Sequence, residues 1–407
     1  LYLPRLHRRG FVAPNASSEH VASPGGFVLE SSPGLYDHVL VLDFKSLYPS
    51  IIRTFFIDPL GLALGVGAGL ADEDTVPGFL AARFAREGHI LPELIQQLWQ
   101  QRDRVRQDGD APLSQAIKII MNSFYGVLGT PGCRFFDARL ASSITLRGHQ
   151  ILNRTRDYIE AAGHRVIYGD TDSVFVWIRD ACSDGEAEAA GVQLQRDLNA
   201  WWRVVVREEF GLESVLELEF ETHYKRFLMP TIRGSERGSK KRYAGVVAGK
   251  AGDRLVFKGL ENVRTDWTRL AREFQEELYR RIFMAEPYED YVKNLTEQVL
   301  AGELDQQLVY RKRLRRKLDE YRRNVPPHVQ AARLCGERGL PVPHRGSWVE
   351  YVITTAGAEP EAAALAPLDY QHYVDRQLEP VADGILGLVG SSFRALVDRQ
   401  IDLFQGP

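Results

Sequence analysis

The residues that most clearly suggest chemistry lie in a short acidic segment, Tyr168–Ser173. Asp170 and Asp172 are separated by one residue, and both flanks are rich in β-branched and aromatic residues. This pattern predicts a β-hairpin with a tight polar turn, in which period-two alternation places both carboxylates on one face. Adjacent carboxylates repel each other unless a cation lies between them. An isolated Asp-x-Asp is usually an ordinary surface turn, so its interpretation depends on the surrounding elements.

A second acidic position lies far upstream, at the end of a predicted buried strand. Residues 38–44 form an apolar run that includes Asp43, and Pro49 suits the first turn of the helix that follows. Residues 216–221 alternate in the manner of a strand, with their glutamates on one side.

Two amphipathic helices are predicted between these acidic elements, over 92–107 and 112–128. The turn Asp108-Gly109-Asp110 joins them, which predicts an antiparallel helical hairpin. Cationic and polar side chains recur at helical spacing on each helix: Arg102 and Arg106 on the first, and Lys118, Asn122 and Tyr125 on the second. At ~1.5 Å per residue the two sets of cations lie at similar distances from the turn and can converge. A merely solvated charged face is the alternative, which the Asn and Tyr in register with the cations make less attractive.

Together these elements match the requirements of phosphoryl transfer. Carboxylate oxygens suit Mg²⁺, which prefers a few carboxylates plus substrate phosphates, and the cationic hairpin suits a polyphosphate. Two metal ions ~3.5–4 Å apart would hold the attacking and leaving oxygens. The segment Gly245–Ala251 is not a P-loop, because it has three residues between its glycines and no Ser or Thr after Lys250.

Composition sets broad limits. The 407 residues contain 44% hydrophobic and 26% charged residues with a net charge of -3, so a nucleic-acid surface must be local. Two basic segments, Lys240–Tyr243 and Tyr310–Lys317, supply such charge. Three distant cysteines predict neither a disulfide framework nor a zinc site. The longest apolar run, 60–71, is too short and too rich in glycine to predict a membrane span, so we expect a soluble, intracellular chain.

Four of these segments resemble the motifs of family B DNA polymerases. Residues 43–52 (DFKSLYPSII) resemble motif A, residues 118–126 (K-x-x-x-NSFYG) motif B, and residues 168–173 (YGDTDS) motif C. Residues 240–243 are similar to the KKRY segment of that family. The order and spacing fit, and the similarity runs along the whole chain to the polymerase half of bacterial members.

The resemblance implies a fold and a division of the chain. The fold would be an α+β right hand, with an antiparallel-sheet palm, helical-hairpin fingers and a mainly helical thumb. The palm would comprise residues 1–80 and 141–259, the fingers 81–140, and the thumb 260–407 with a clamp-binding tail.

It also implies a role for each matched residue. Asp43 and Asp172 would bridge two Mg²⁺ ions (Mn²⁺ being a substitute), with the Phe44 carbonyl as a further ligand and Asp170 as a nearby acidic group. Glu219 or Glu221 would be an additional carboxylate, and their alternation does not choose between them. Lys118 would hold the triphosphate and protonate the leaving pyrophosphate.

The remaining nucleotide and DNA contacts follow in the same way. Tyr48 would exclude a ribose 2′-hydroxyl. The dNTP would be bound by Ser46, Leu47, Tyr48, Arg102, Arg106, Lys118, Asn122 and Tyr125. Primer–template DNA would be bound by Lys240, Lys241, Arg242, Tyr243, Arg311, Arg313, Arg315 and Arg316.

The expected function is therefore template-directed DNA synthesis by a monomeric cytoplasmic, nucleoid-associated enzyme in DNA repair, translesion synthesis or replication restart, within the SOS response. The tail Gln400-Ile401-Asp402-Leu403-Phe404 resembles the pentapeptide that binds the bacterial sliding clamp. Only a short segment precedes Asp43, without acidic exonuclease motifs, so we expect no proofreading by this chain. Two alternatives stay open: a non-catalytic scaffold that binds DNA or a clamp, and an RNA-synthesising or reverse-copying palm enzyme. The first is disfavoured because a scaffold has no need of mutually repelling carboxylates, and the second because of Tyr48.

Overall fold

The computed structural model describes residues 1–16, 23–181, 183–231, 237–249 and 252–397. The chain divides into two compact units, Leu1–Ser31 with Asp37–Tyr224 and Ser32–Tyr36 with Lys225–Pro407. Each unit has its own hydrophobic core of buried aliphatic and aromatic side chains. The predicted division into palm, fingers and thumb is finer than these two units and stays a prediction.

The first unit combines long helices with an antiparallel sheet. Its helices are α1 Tyr2–Arg8, α2 Leu47–Thr54, α3 Pro59–Gly67, α4 Leu91–Gln107, α5 Ala111–Leu128, α6 Ala138–Ala161 and α7 Asp184–Phe210. Its strands are β1 Gly34–Phe44, β2 Thr75–Pro77, β3 Arg83–Ala85, β4 Arg165–Asp170, β5 Ser173–Trp177 and β6 Leu218–Met229, of which β1 begins and β6 ends in the second unit. These strands follow the order β4-β5-β1-β6, so β1 lies between β5 and β6. Strands β2 and β3 form a separate pair.

The two predicted hairpins are confirmed. Strands β4 and β5 pair in antiparallel register from Arg165↔Trp177 to Asp170↔Ser173, which leaves residues 171 and 172 as the turn. Helices α4 and α5 pack against each other across residues 108–110. The side chain of Asp110 caps α5 by accepting a hydrogen bond from the Leu113 N–H at 3.0 Å, and Gly109 takes φ +78°, which favours glycine.

Residues 47–67 are long and apolar enough, by composition alone, to cross a membrane, but most of the stretch is buried within the protein. It comprises two helices, α2 and α3, separated by residues 55–58. Asp58 caps α3 by accepting a hydrogen bond from the Gly61 N–H at 2.8 Å, and it also accepts one from the hydroxyl of Tyr2 at 3.0 Å. These contacts identify the stretch as core helices of the first unit.

The second unit contains more sheet than the charged, helical composition after residue 260 predicts. Its helices are α8 Arg269–Phe283, α9 Glu289–Leu300, α10 Pro327–Glu337, α11 Tyr370–Tyr373, α12 Glu379–Leu386 and α13 Phe393–Val397. Its strands are β7 Tyr243–Val247, β8 Arg254–Lys258, β9 Tyr310–Arg313, β10 Trp348–Thr354 and β11 Gly357–Pro360. Strands β9 to β11 form an antiparallel sheet in the order β11-β10-β9, so the basic segment enters through a strand.

The apolar residues that begin the segment 27–30 predict a further short strand, and this prediction is wrong. Among the described residues this segment forms a single antiparallel bridge, between Val28 and Asp170. The Leu29 N–H donates to the Gly169 carbonyl at 2.9 Å, and the Thr171 N–H donates to the Phe27 carbonyl at 2.8 Å. Three residues against the end of a hairpin are too few to continue a ladder.

Candidate active site

The register of β1 against β5 brings the acidic strand end to the acidic hairpin. Asp43 pairs with Ser173, directly after the turn residue Asp172. The Phe44 N–H donates to the Asp172 carbonyl at 2.8 Å, which fixes the turn against the end of β1. Residues that are far apart in sequence thus meet because β1 is an inner strand of the sheet.

Asp43 and Asp172, called the acidic centre below, lie among other negative charges. Burial, the charge of Asp172 and the charge of Glu221 raise the pKa of Asp43 to about 7, although Lys118 opposes the shift. Burial, followed by the charges of Asp170 and Glu221, raises the pKa of Asp172 as well. In the part of the chain that the structure describes, neither Asp43 nor Asp172 forms an ion pair.

Asp170 has a different environment from Asp172. Its carboxylate accepts hydrogen bonds from the Thr171 hydroxyl at 3.0 Å and the Tyr168 hydroxyl at 3.4 Å. The predicted alternation of side chains along a strand does not apply to Asp170 and Asp172. Thr171 takes φ +58°, and Asp172 lies with it in the turn and not in a strand. Asp170 nevertheless lies close enough for its charge to raise the pKa of Asp172.

The cations of the helical hairpin line the same cleft as Asp43. Arg102, Arg106 and Lys118 lie around this cleft together with Asp43 and Ser46. The Nε atom of Arg102 is buried and has no hydrogen-bond partner among the described residues. A buried donor without a partner costs free energy, so this guanidinium is suited to an anionic ligand.

The segment after Asp43 places an aromatic ring beside the acidic turn. Ser46 precedes α2 with φ 44° and ψ 60°, a left-handed conformation that is uncommon outside glycine. As at the start of any α-helix, the first N–H groups of α2 have no intrahelical partners. The ring of Tyr48 lies 4.7 Å from that of Tyr125 between centroids. Burial, Tyr125 and the charges of Asp172 and Asp170 raise the pKa of Tyr48 to about 12.

The predicted partner of Tyr125 on α5, Asn122, is exposed. The structure therefore groups Tyr48 with Tyr125 and groups Arg102, Arg106 and Lys118 with Asp43, but gives Asn122 no described contact.

Sequence reasoning missed the role of Lys45. Its Nζ lies 2.7 Å from Glu217 Oε1 and 2.6 Å from Glu219 Oε1. Burial opposes the shift, but these two ion pairs outweigh it and raise the pKa of Lys45. Glu219, paired with Lys45, still contributes to the raised pKa of Asp43, but Glu221 contributes more to it and also raises the pKa of Asp172. The signal in the sequence was the alternation of glutamates opposite a lysine, but the pairing depends on the position of β6 beside β1.

In the second unit, the KKRY segment is only partly available to a ligand. Arg242 forms an ion pair with the buried Glu261, and the Tyr243 ring packs 5.3 Å from that of Phe227. Lys240 and Lys241 are exposed, and Lys241 takes φ +61°. The lysines are the members of this segment that face solvent.

The arginines at and after β9 surround one cleft of the second unit. Arg311, Arg313, Arg315 and Arg316 are all exposed and line it together with Trp348. Arg311 Nε lies 3.3 Å from Glu350 Oε1, and its guanidinium stacks over the Trp348 ring at 4.8 Å. Arg315 and Arg316 form no ion pair within the described ranges. The predicted clamp-binding residues 400–404 lie outside the described residues.

The acidic centre fits a hard divalent cation. Its donors are carboxylate oxygens, the pKa values of two of them are raised by their neighbours, and a cation would reverse those shifts. Solvent and substrate oxygens would complete the coordination of such an ion.

Comparison with known proteins agrees with the motifs. The model of DNA polymerase family B matches residues 1–383. DNA polymerase II of Escherichia coli (strain K12) is 58% identical over 412 residues, covering 99% of this chain and 52% of that protein. A DNA polymerase of Thermococcus gorgonarius is 29% identical, covering 95% of this chain and 51% of its own length.

A solved structure has the same fold. The family B DNA polymerase from the hyperthermophilic archaeon Pyrobaculum calidifontis superposes with a TM-score of 0.65 at 29% identity, over 93% of this chain and 49% of the other. The chain thus spans about half the length of the relatives it matches.

Proposed function

The chain belongs to DNA polymerase family B, and from this premise we propose that it is a template-directed DNA polymerase core. It would add dNMP from a dNTP to the 3′-hydroxyl of a primer, in a cytoplasmic, nucleoid-associated setting of DNA repair, translesion synthesis or replication restart. The observation that carries this proposal is the cleft that Asp43 shares with Arg102 and Lys118, with Asp172 in the turn next to the end of β1.

The proposed mechanism divides the work between the two sides of that cleft. Mg²⁺ ions, when held by Asp43, Asp172 and the Phe44 carbonyl, would activate the primer hydroxyl and neutralise charge on the phosphates. Arg102, Arg106 and Lys118 would bind the triphosphate, and Lys118 would donate a proton to the leaving pyrophosphate.

The remaining residues would set orientation and selectivity. The N–H groups of Ser46, Leu47 and Tyr48 would bind phosphate oxygens at the start of α2. Asn122 and Tyr125 would line the pocket of the nascent base pair. The first unit would contain most of the palm and the fingers, the second unit the rest of the palm and the thumb.

Duplex DNA would be held mainly through phosphates. Lys240 and Lys241, together with the arginine cleft at Arg311–Arg316, supply exposed positive charge for this purpose. Binding of a sliding clamp by residues 400–404 is proposed on sequence alone. Clamp-stimulated synthesis by chains with and without those residues would test it.

Primer extension tests the proposed activity. The chain is incubated with primed template, dNTPs and Mg²⁺, beside its Asp172→Asn variant. We expect extension by the parent chain and a loss of about 10³-fold or more in the variant, because one carboxylate ligand is removed. Extension that survives unchanged in the variant would reject the assignment of Asp172.

Tyr48 gives a separate test of substrate choice. Tyr48→Ala should lower the preference for dNTPs over rNTPs by about tenfold or more, because the wall of the sugar pocket is removed. Single-nucleotide incorporation of each substrate measures this ratio. Tyr48→Phe is the matched control, since it keeps the ring, and an unchanged ratio in Tyr48→Ala would remove Tyr48 from this role.

A further inference from the structure

A second cluster of chemically competent side chains lies in the first unit, outside the acidic cleft. It comprises His38 on β1, His223 on β6 and Asp184, the first residue of α7. Their ligand atoms all lie within 4.8 Å of one another, and no other group of three or more His, Cys, Asp or Glu is gathered this tightly within the described ranges.

The distances suit a single small ion. His38 Nδ1 lies 3.1 Å from His223 Nε2 and 3.7 Å from Asp184 Oδ1. In a tetrahedral zinc site, with ligands at about 2.0–2.1 Å from the metal, neighbouring ligand atoms lie roughly 3.3–3.5 Å apart. The two distances from His38 Nδ1 bracket this value, and the third pair of ligand atoms, on His223 and Asp184, lies within 4.8 Å. Side-chain rotations would bring the three groups onto one ion.

The environment of the His223 imidazole suits a metal ligand better than a buried imidazolium cation. The His223 side chain is only 6% exposed, and burial, the largest cause, lowers its pKa. A neutral imidazole is the form that binds a metal. The other ring nitrogen of His223, Nδ1, lies 3.7 Å from Glu188 Oε1, one turn further along α7. Carboxylates in this position orient the histidines of metal sites.

The surrounding backbone is built to hold the three groups together. Gly191 of α7 lies so close to the sheet that a Cβ atom there would be 3.0 Å from the Phe220 ring and 3.1 Å from Leu40. This close approach keeps the first turns of α7 over β1 and β6. His38 itself takes φ +52° within a strand, and its carbonyl accepts a hydrogen bond from the Ile178 N–H at 3.0 Å.

We propose that His38, His223 and Asp184 bind one divalent transition-metal ion of the Zn²⁺ class, with water at the fourth position. Two imidazole nitrogens and one carboxylate are typical zinc ligands and poor ligands for Mg²⁺. The ion ties the start of α7 to β1 and β6, and β1 is the strand that ends at Asp43.

The test is Zn²⁺ binding to the untagged, metal-stripped full chain, measured by competition with a chromophoric chelator in excess Mg²⁺. The Mg²⁺ keeps Zn²⁺ from the acidic cleft. We expect one tight site per chain, at least about 100-fold weaker in His38→Gln and in His223→Gln. His7→Gln removes an exposed histidine of α1 and should bind as the parent chain does.

Two further readouts separate a lost ligand from a misfolded variant. Zn²⁺ should raise the Tm of the parent chain and of His7→Gln but not of His38→Gln, while all three unfold alike in EDTA. Asp184→Asn changes a half-exposed ligand and should weaken Zn²⁺ binding without loss of fold. Bound Co²⁺ should show a tetrahedral spectrum without a thiolate band. Absent binding, or binding that His38→Gln and His223→Gln leave unchanged, would overturn the proposal.

Discussion

Two carboxylates, one in each unit, have opposite electrostatic environments. In the first unit, burial and the neighbouring charges of Asp172 and Glu221 raise the pKa of Asp43 to about 7. In the second unit, Glu359 is buried beside Arg338, whose Nη1 donates to it at 2.8 Å. That ion pair, with the Leu365 N–H donating at 2.6 Å, lowers the pKa of Glu359 to about 2.

Glu359 is a carboxylate whose charge stabilises the fold, whereas Asp43 is a carboxylate whose charge is suited to a bound cation. A carboxylate with a cationic partner prefers its charged form in the folded chain, and stability rises when it ionises. A carboxylate among other carboxylates prefers to stay neutral, and its ionisation lowers stability until a cation binds. A raised pKa alone does not make this distinction, because burial also raises the pKa of Asp58, which caps α3. It is the combination of a raised pKa with neighbouring carboxylates that marks a cluster suited to a cation.

Replacing Asp43 tests this comparison with the largest expected effect. Asp43→Asn should lower primer extension by about 10³-fold or more, because a metal ligand is lost. The same variant should be more stable than the parent chain in metal-free buffer at pH 8, by about 1 kcal/mol after allowance for solvent exposure. Thermal unfolding in EDTA measures the second effect.

The pH dependence provides the control for Asp43→Asn. The pKa of Asp43 is about 7 when folded and near 3.8 ordinarily, so the folded chain keeps the proton longer as pH rises. Stability of the metal-free chain therefore falls between about pH 4 and pH 7. At pH 5 Asp43 is protonated in the fold, so the gain in Asp43→Asn should shrink. A variant less stable than its parent at pH 8 would contradict this account of the acidic centre.

A smaller effect is expected within the acidic cleft, between Glu221 and Glu219. Glu221→Gln should raise the Mg²⁺ concentration needed for half-maximal extension by about tenfold, because Glu221 acts on both aspartates. Glu219→Gln should change it less, because Lys45 already neutralises Glu219 at 2.6 Å. Extension rates across a Mg²⁺ titration measure both, with Glu217→Gln as a matched control. The reverse order would make Glu219 the carboxylate nearer the metals.

Much of this site was predictable from local sequence. The β-hairpin that contains Asp170 was predicted from its β-branched flanks, and the helices α4 and α5 from helical periodicity and the Asp108–Asp110 turn. In each case the local signals agree with one another. What local patterns could not give was pairing at a distance. The ion pairs of Lys45 and the grouping of His38 with His223 both depend on β6 lying beside β1.

Two predictions failed because tertiary contacts overrode local propensity. Arginine and lysine in the segment that contains β9 carry no strand signal, so the sheet of the second unit was missed and its composition favoured helix. The apolar residues 27–30 predicted a strand, but only Val28 pairs, because the segment meets the end of the hairpin. In both places a tertiary neighbour, not local propensity, decides the structure.

The paired carboxylate of the second unit gives the smallest and most selective effect. Glu359→Gln should lower the stability of that unit by about 1–2 kcal/mol at pH 7, a loss of a few degrees in Tm, because a charged hydrogen-bonded pair is replaced. Its stabilisation is present above the ordinary pKa of 4.5 and is lost as pH falls toward 2, opposite in direction to the effect of Asp43. Thermal unfolding between pH 3 and pH 7 measures this, and primer extension below the Tm should be unchanged. If Glu359→Gln lowers primer extension while the fold persists, an ion-paired carboxylate has a role in activity. The distinction between structural paired carboxylates and functional unpaired ones would then be wrong.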